Sequence, residues 1–398
     1  VNNFPKASLD GTVVIDASRV LAGPLAGQIL GDHGAEVIKV ESFTGDDTRA
    51  YGPPFVHDTA AYYVGLNRNK KDLALDLSRP EGISLLFDML ESADVLIENF
   101  KMSTWKKWGV NDFSEISERF PRLIHCRISG FGEEGELGGL PGYDAAVQAL
   151  SGLISINGEP QGDGLRIGIP LVDTTTGMNA AMGVLFALLE RYRSQKGQRV
   201  EVTLYDTALA LLHPHTANVL HGGNAVRAGN GHPNIVPYDL FSTKTTPLFI
   251  AIGNNRQFAT LCQRIGDAQL AEDPRYKHNK DRVSNRDALK ARLTELLSTF
   301  DSVELFKELM AIGVPCAPVL SVEQALALDH TRTREMCVEL DNYRGTGIPV
   351  KLARTPGSVR LAPPAIGQHT TEILQRFGLT ETQVTDLVSD NIVQSSAL

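Results

Sequence analysis

The chain has 398 residues, 42% of them hydrophobic, with Lys+Arg 38 against Asp+Glu 47 for a net charge of -9. That length is large for one core, so two domains are expected. The acidic balance argues against non-specific nucleic-acid binding, which needs a basic surface. The four cysteines, Cys126, Cys262, Cys316 and Cys337, form no CxxC pair and have no His at metal spacing. They read as reduced thiols, without a metal site.

The first half alternates strand and helix patterns. Thr12–Ser18 is a β-rich run, followed by a helix with Pro24 near its start and Gly34 as its stop. Glu36–Glu41 is a strand, Pro80–Ala93 an amphipathic helix, and Asp94–Phe100 and Arg122–Phe131 are further strands. Such alternation implies parallel pairing and an α/β domain. After a long apolar helix, Gln198–Asp206 is again strand-like. The texture changes at His221–Tyr238, which is rich in Gly, Asn and Pro and reads as loop or linker. A smaller unit follows, with strands at Pro247–Gly253 and Pro315–Leu320. Helices lie near Gln257–Ile265, Arg286–Thr299 and Val303–Ala311. The tail from Gly347 is irregular, then helical.

Several chemistries lack their motif. The first turn, "SRVLAGPLAG", is not the G-x-G-x-x-G of nicotinamide enzymes, and there is no P-loop and no G-x-S-x-G elbow. The rings of His213 and His215 splay apart at i, i+2 on a helix and read as packing residues. The longest uncharged apolar helical run, Gly177 to Leu189, is shorter than the ~18 residues a membrane span needs. One stretch raises a question: "RIGIPLVDTTTGMNAAMGVLFALLE", Arg166–Glu190, holds a single acid, Asp173, before Glu190. Taken alone, Asp173 reads most simply as a helix cap. A nucleophile or general base is the sharper alternative, since a helix start favours an ionised carboxylate and offers N–H groups to an oxyanion.

Six ordered blocks carry a resemblance: "SRVLAGPLAGQILGDHGAEVIKVES", "GDDTR", "NRNKKDLALDL", "LIENF", "GYDAAVQALSG" and "GIPLVDTTTG". With "GQHTTEIL" they extend through nearly the whole chain. In this order they resemble the class III coenzyme A transferases, the CaiB/BaiF family of formyl-CoA and carnitine CoA-transferases. "NGHPNIVPYDLF" and "GNNRQFATLC" are most similar to the branch acting between succinyl-CoA and dicarboxylates such as glutarate, hydroxymethylglutarate, itaconate or mesaconate.

The resemblance implies a fold. A Rossmann-like large domain would comprise 1–205 plus the tail 345–398, with linkers at 206–228 and 326–344. A small α+β domain at 229–325 would be inserted, and two chains would interlock as a homodimer. The reduced cysteines fit a cytoplasmic (bacterial) enzyme, or one of the mitochondrial matrix if a leader has been removed. Asp173 matches the family's nucleophile, which becomes an aspartyl-CoA thioester. The substrates are CoA esters and small carboxylic acids; no separate cofactor is needed, since the thioester energy is conserved.

The CoA site carries over to Leu21 and Ala22, with Leu21 standing where formyl-CoA transferase has glutamine. It also carries over to Ser42 and Lys107, which stand where that enzyme has arginines, to Leu75, Asn99 and Phe100, and to Gly142, Tyr143 and Asp144. Arg49 and His232 are two candidates for reading an acceptor's far carboxylate. The alternative functions are a 2-methylacyl-CoA racemase of the same fold, a transferase for carnitine, formate or oxalate, and a non-catalytic CoA-binding scaffold. The racemase would need a His–acid pair where this chain has Tyr143 and Asp173, and a phenol is a poor base at neutral pH.

Overall fold

The structure, a computed structural model, describes residues 7–396. The chain divides into two compact units, one of residues 1–151, 168–212 and 329–398, the other of residues 152–167 and 213–328. The short excursion 152–167 thus belongs to the smaller unit, whereas the sequence division placed it in the large domain.

In the larger unit the strands are β1 (Val13–Asp16), β2 (Glu36–Glu41), β3 (Lys70–Leu75), β4 (Val95–Glu98), β5 (Ile124–Ser129) and β6 (Arg199–Thr203). The connecting helices are α1 (Ala22–Asp32), α2 (Pro80–Leu90), α3 (Met102–Lys107), α4 (Asp144–Ser151) and α5 (Leu171–Ser194). All four residues of β1 and of β4 are buried, as expected of strands covered on both faces by helices. The parallel strands follow the order β3-β2-β1-β4-β5-β6. This is the strand order of the doubly wound Rossmann sheet, whose ligand crevice lies where the order reverses, at the carboxyl ends of β1 and β4.

The tail returns to this unit. Its helix Thr370–Arg376 packs near β3, and Val393–Gln394 adds a short antiparallel edge strand to β3. Buried Ile373, Leu374, Ile392 and Val393 share one core with Ile15, Leu73, Leu86 and Trp105.

The sheet also buries charge. Lys39, Lys70, Asp16, Glu41 and Asp72 all lie inside it. Lys70 Nζ donates to Asp16 Oδ2 at 2.8 Å, to Asn67 Oδ1 at 2.8 Å and to Pro24 O at 2.7 Å. Such pairing is what keeps a buried ammonium tolerable. Burial still pushes its pKa down to about 8, with Asp16 opposing that shift.

Helix α5 is longer than its uncharged run suggests. At 24 residues it is long and apolar enough to cross a membrane, alone among helices of the described residues. One face is buried through Val172, Thr176, Gly177, Ala180, Ala181, Val184 and Ala187. Gly177 marks its closest packing: a Cβ there would lie 2.6 Å from Ala22 O, so only glycine lets α5 press against the start of α1.

The smaller unit has a three-stranded antiparallel sheet, with Leu248–Ala251 between Tyr238–Phe241 and Cys316–Pro318. Helices Asn255–Arg264, Arg286–Leu297 and Ser302–Ala311 supply Phe258, Leu261, Leu289, Leu293, Leu305 and Leu309 to its core. Cys126, Cys262 and Cys316 are buried thiols and Cys337 is exposed.

Candidate active site

Asp173 is not a helix cap. It is the third residue of α5, whose N-cap is Pro170 with no side-chain capping bond. The orphan N–H groups are met from elsewhere in the chain. Asp144 Oδ2 accepts from Val172 N at 2.8 Å and Asp173 N at 3.0 Å, while its Oδ1 accepts from Gln148 Nε2 at 2.6 Å. One carboxylate therefore caps the helix that carries the other. Among the described residues the Asp173 carboxylate has no salt bridge. Burial, and secondly the charge of Asp144, push its pKa up to about 7.

Asp173 opens on a cleft of about 250 Å³ at the carboxyl ends of the central strands. The lining comes from the turn after β1 (Arg19–Ala22), the turn after β4 (Asn99–Met102), the loop after β5 (Ser129–Tyr143) and Leu204 beyond β6. Its position is the switch point that the sheet order predicts. The turn after β1 is held tightly. Asn99 pairs with Arg19 like a strand neighbour, accepting from its N–H at 3.1 Å and donating to its carbonyl at 2.9 Å. Val20 takes a left-handed conformation, φ 75°, which is an outlier for a β-branched residue. Helix α1 then begins with no side-chain cap, leaving the N–H groups of Ala22 and Gly23 uncapped at its start; Pro24 has none.

Residues 9–370 match CoA-transferase family III. The chain belongs to that family, and it is a CoA-transferase. Among its relatives is the succinate–glutarate CoA-transferase of Agrobacterium fabrum, 37% identical over 96% of this chain and 98% of that protein. The acetyl-CoA:oxalate CoA-transferase of Acetobacter aceti is 38% identical over 88% of this chain and 90% of its own length. The crystal structure of a CAIB/BAIF family protein from Brucella suis superposes with a TM-score of 0.83, at 36% identity, covering 94% of this chain and 100% of that one.

In this transferase the cleft brings together Leu21, Ala22, Asn99, Phe100, Gly142, Tyr143 and Asp173 from the sequence-derived set. Gly142 is needed where it stands, because a Cβ there would lie 2.6 Å from Gly130 Cα and force the loop open. Asp144 lies behind the cleft as the cap of α5 rather than on its wall. Leu75 is a core residue of β3. Ser42 is exposed beside Thr44, and Lys107 is exposed on the last turn of α3; neither lines the cleft.

Arg49 is committed elsewhere. Its guanidinium is buried, bonded to Glu41 and Tyr63, close to Asp72 at 3.6 Å and hydrogen-bonded to Pro364 O, so it offers no free fork to an acceptor. His232 lies in the smaller unit, where its Nδ1 accepts from Asn234 N at 3.0 Å and its ring meets Tyr238. Burial, then Arg286 and His215, hold its pKa below the usual histidine value.

Sequence reasoning missed four groups. Arg19, Lys101 and Arg127 are the cations of the cleft lining. Tyr62 is a neighbour of Asp173: burial, and next the Asp173 charge, push its phenol up to about 12. Its ring meets Tyr51 edge-on at 5.7 Å. "LIENFK" holds Lys101 immediately after the block that was matched, so proximity to that block was the available signal.

Proposed function

We propose that this transferase moves CoA from succinyl-CoA to a short dicarboxylic acid through an aspartyl-CoA thioester on Asp173. The observation that carries the reading is a cleft-lining carboxylate without a cation or hydrogen-bond donor among the described residues, beside the uncapped start of α1. A carboxylate left unpaired keeps its nucleophilicity, whereas one tied to arginine does not.

The steps balance without ATP. The Asp173 carboxylate attacks the donor thioester carbonyl and CoA leaves as thiolate, giving a mixed succinyl–aspartyl anhydride. The thiolate then attacks the Asp173 carbonyl, succinate departs, and Asp173 carries CoA. The acceptor carboxylate repeats this in reverse and restores Asp173. The Ala22 and Gly23 N–H groups are the candidate oxyanion donors, because those of Val172 and Asp173 are occupied by Asp144. Lys101 and Arg19 supply positive charge for the CoA phosphates and for the acceptor's second carboxylate. The succinate–glutarate relative supports this donor and acceptor class, and the oxalate relative supports a still shorter diacid.

The enzyme acts as a homodimer. Met178, Met182, Phe186, Leu189 and Tyr192 form an apolar stripe on α5 that is largely exposed in the single chain. A surface of that kind is normally covered by a partner, most simply a second copy.

The test is a panel of acceptors with succinyl-CoA as donor, products read by mass. Glutarate, itaconate, mesaconate and oxalate are compared with monocarboxylates of similar length and with carnitine. Preference for diacids is expected, and equal use of monocarboxylates would overturn the acceptor class.

A further inference from the structure

We propose that Asp46, seated by Lys39, is a positioning residue that holds Val20 in its left-handed conformation and thereby aims the start of α1 at Asp173; the inference rests on the reading of Asp173 as nucleophile. Asp46 and Lys39 lie outside the cleft lining. Both are buried, at 1% and 0% exposure. Asp46 accepts from Val20 N with both carboxylate oxygens, at 3.3 and 3.1 Å. The same carboxylate accepts from Thr48 N at 3.0 Å, Thr48 Oγ1 at 2.8 Å and Lys39 Nζ at 3.3 Å. Lys39 Nζ also donates to Ser18 O at 2.6 Å.

The three-residue turn Ser18–Arg19–Val20 is thus held at each residue: Ser18 by Lys39, Arg19 by Asn99, Val20 by Asp46. This explains how a valine stays at φ 75°. Residues persist in such regions only where their surroundings over-determine them, and they concentrate at functional sites. Directly after Val20 come Leu21 and Ala22, which line the cleft with Asp173. If Val20 relaxed to negative φ, the chain direction into α1 would change, and its uncapped N–H groups would move relative to the carboxylate. The Asp46 charge also suits its task, because a carboxylate binds an N–H about twice as strongly as a neutral acceptor does.

The test follows the rate at which CoA appears on Asp173 in a single turnover with succinyl-CoA, alongside kcat and KM. Asp46→Asn is expected to slow both adduct formation and kcat by about tenfold or more, while KM for succinyl-CoA stays within about threefold, as for an interaction felt in the transition state. Adding Val20→Gly to Asp46→Asn is expected to recover most of that loss, because glycine holds positive φ without help. A purely structural role for Asp46 would not give that rescue.

Unchanged kcat in Asp46→Asn, or a loss that Val20→Gly leaves in place, would overturn the proposal. If Asp46→Asn does not fold, Thr48→Val removes one bond that aims the carboxylate and keeps its charge. A smaller loss, again recovered by Val20→Gly, is then expected, and no loss or no recovery would overturn it. Absence of any adduct in the unaltered enzyme would instead defeat the covalent reading. The kcat comparison would still decide the role of Asp46.

Discussion

The larger unit contains two carboxylate pairs, and they are handled in opposite ways. Glu41 and Asp72 are buried side by side, with Arg49 bonded to one and 3.6 Å from the other. Burial opposes ionisation of Glu41, but Asp72, Lys39 and Arg49 together hold its pKa well below the usual range. Burial, then Glu41, push Asp72 well above its usual value, and the Arg49 guanidinium beside both opposes that shift. Asp144 and Asp173 form the other pair. There one carboxylate takes the backbone N–H groups of α5, and the other faces the cleft with no cation on it. A compensated pair ties elements together: Arg49 reaches Pro364 O, and Asp72 accepts from Gly367 N at 2.6 Å, fixing the returning tail to the sheet. An uncompensated carboxylate in a cleft is costly to ionise, and a group of that kind is a candidate for chemistry rather than for cohesion.

Breaking the reactive pair has the largest expected effect. Asp173→Asn should lower transfer by at least about a thousandfold, since it removes the covalent route. The same variant should be more stable than the unaltered chain at pH 8. In the folded chain Asp173 holds its proton up to about pH 7, whereas in the unfolded chain it releases it near 3.8, so its contribution to stability falls as pH rises through that window. Thermal unfolding at pH 5 and pH 8 checks this: the gain belongs at pH 8 and should shrink at pH 5.

Breaking the compensated pair should act mainly on stability. Glu41→Gln leaves Asp72, 3.6 Å away, as the remaining carboxylate beside Arg49 and should destabilise the fold by about 1.5–3 kcal/mol, as for the loss of a hydrogen bond to a charged group. KM for either substrate, measured on the folded fraction, should not change. A finer test separates the two members of the reactive pair. Asp144→Asn keeps an acceptor for the α5 N–H groups but removes the negative charge, so the acidic limb of the kcat/KM profile should move to lower pH. A limb that stays in place would assign the Asp173 shift to burial alone.

The smallest expected effect contrasts two lysines of α3 and its entry. Lys101→Ala should raise KM for the CoA ester severalfold, because Lys101 lines the cleft. Lys107→Ala should leave it unchanged, because Lys107 lies outside that lining.

Legibility in the sequence followed the range of the interactions. The runs "TVVIDAS" and "DVLIENF" declare β1 and β4 because burial on both faces demands unbroken apolar residues. The strand β3 is disguised, since "KKDLAL" opens with three charges whose partners, among them Asp16, Glu36 and Arg49, lie elsewhere in the chain. Asp173 stands out in the sequence as a lone acid in an apolar stretch, but its capping partner comes from 29 residues earlier, which no local pattern reveals. Arg49 likewise looks like a free fork beside "GDD" until Glu41 and Asp72 converge on it. The edge strand Val393–Gln394 has two residues, too few for any periodicity.

The covalent route requires CoA to become bonded to Asp173. Its most direct test is rapid acid quench of enzyme mixed with succinyl-CoA and no acceptor, followed by mass analysis of the peptide containing Asp173. A CoA thioester on Asp173 is expected, discharged when glutarate is added and absent in Asp173→Asn. Full transfer by Asp173→Asn, or turnover by the unaltered enzyme with the adduct never forming at any quench time, would contradict it.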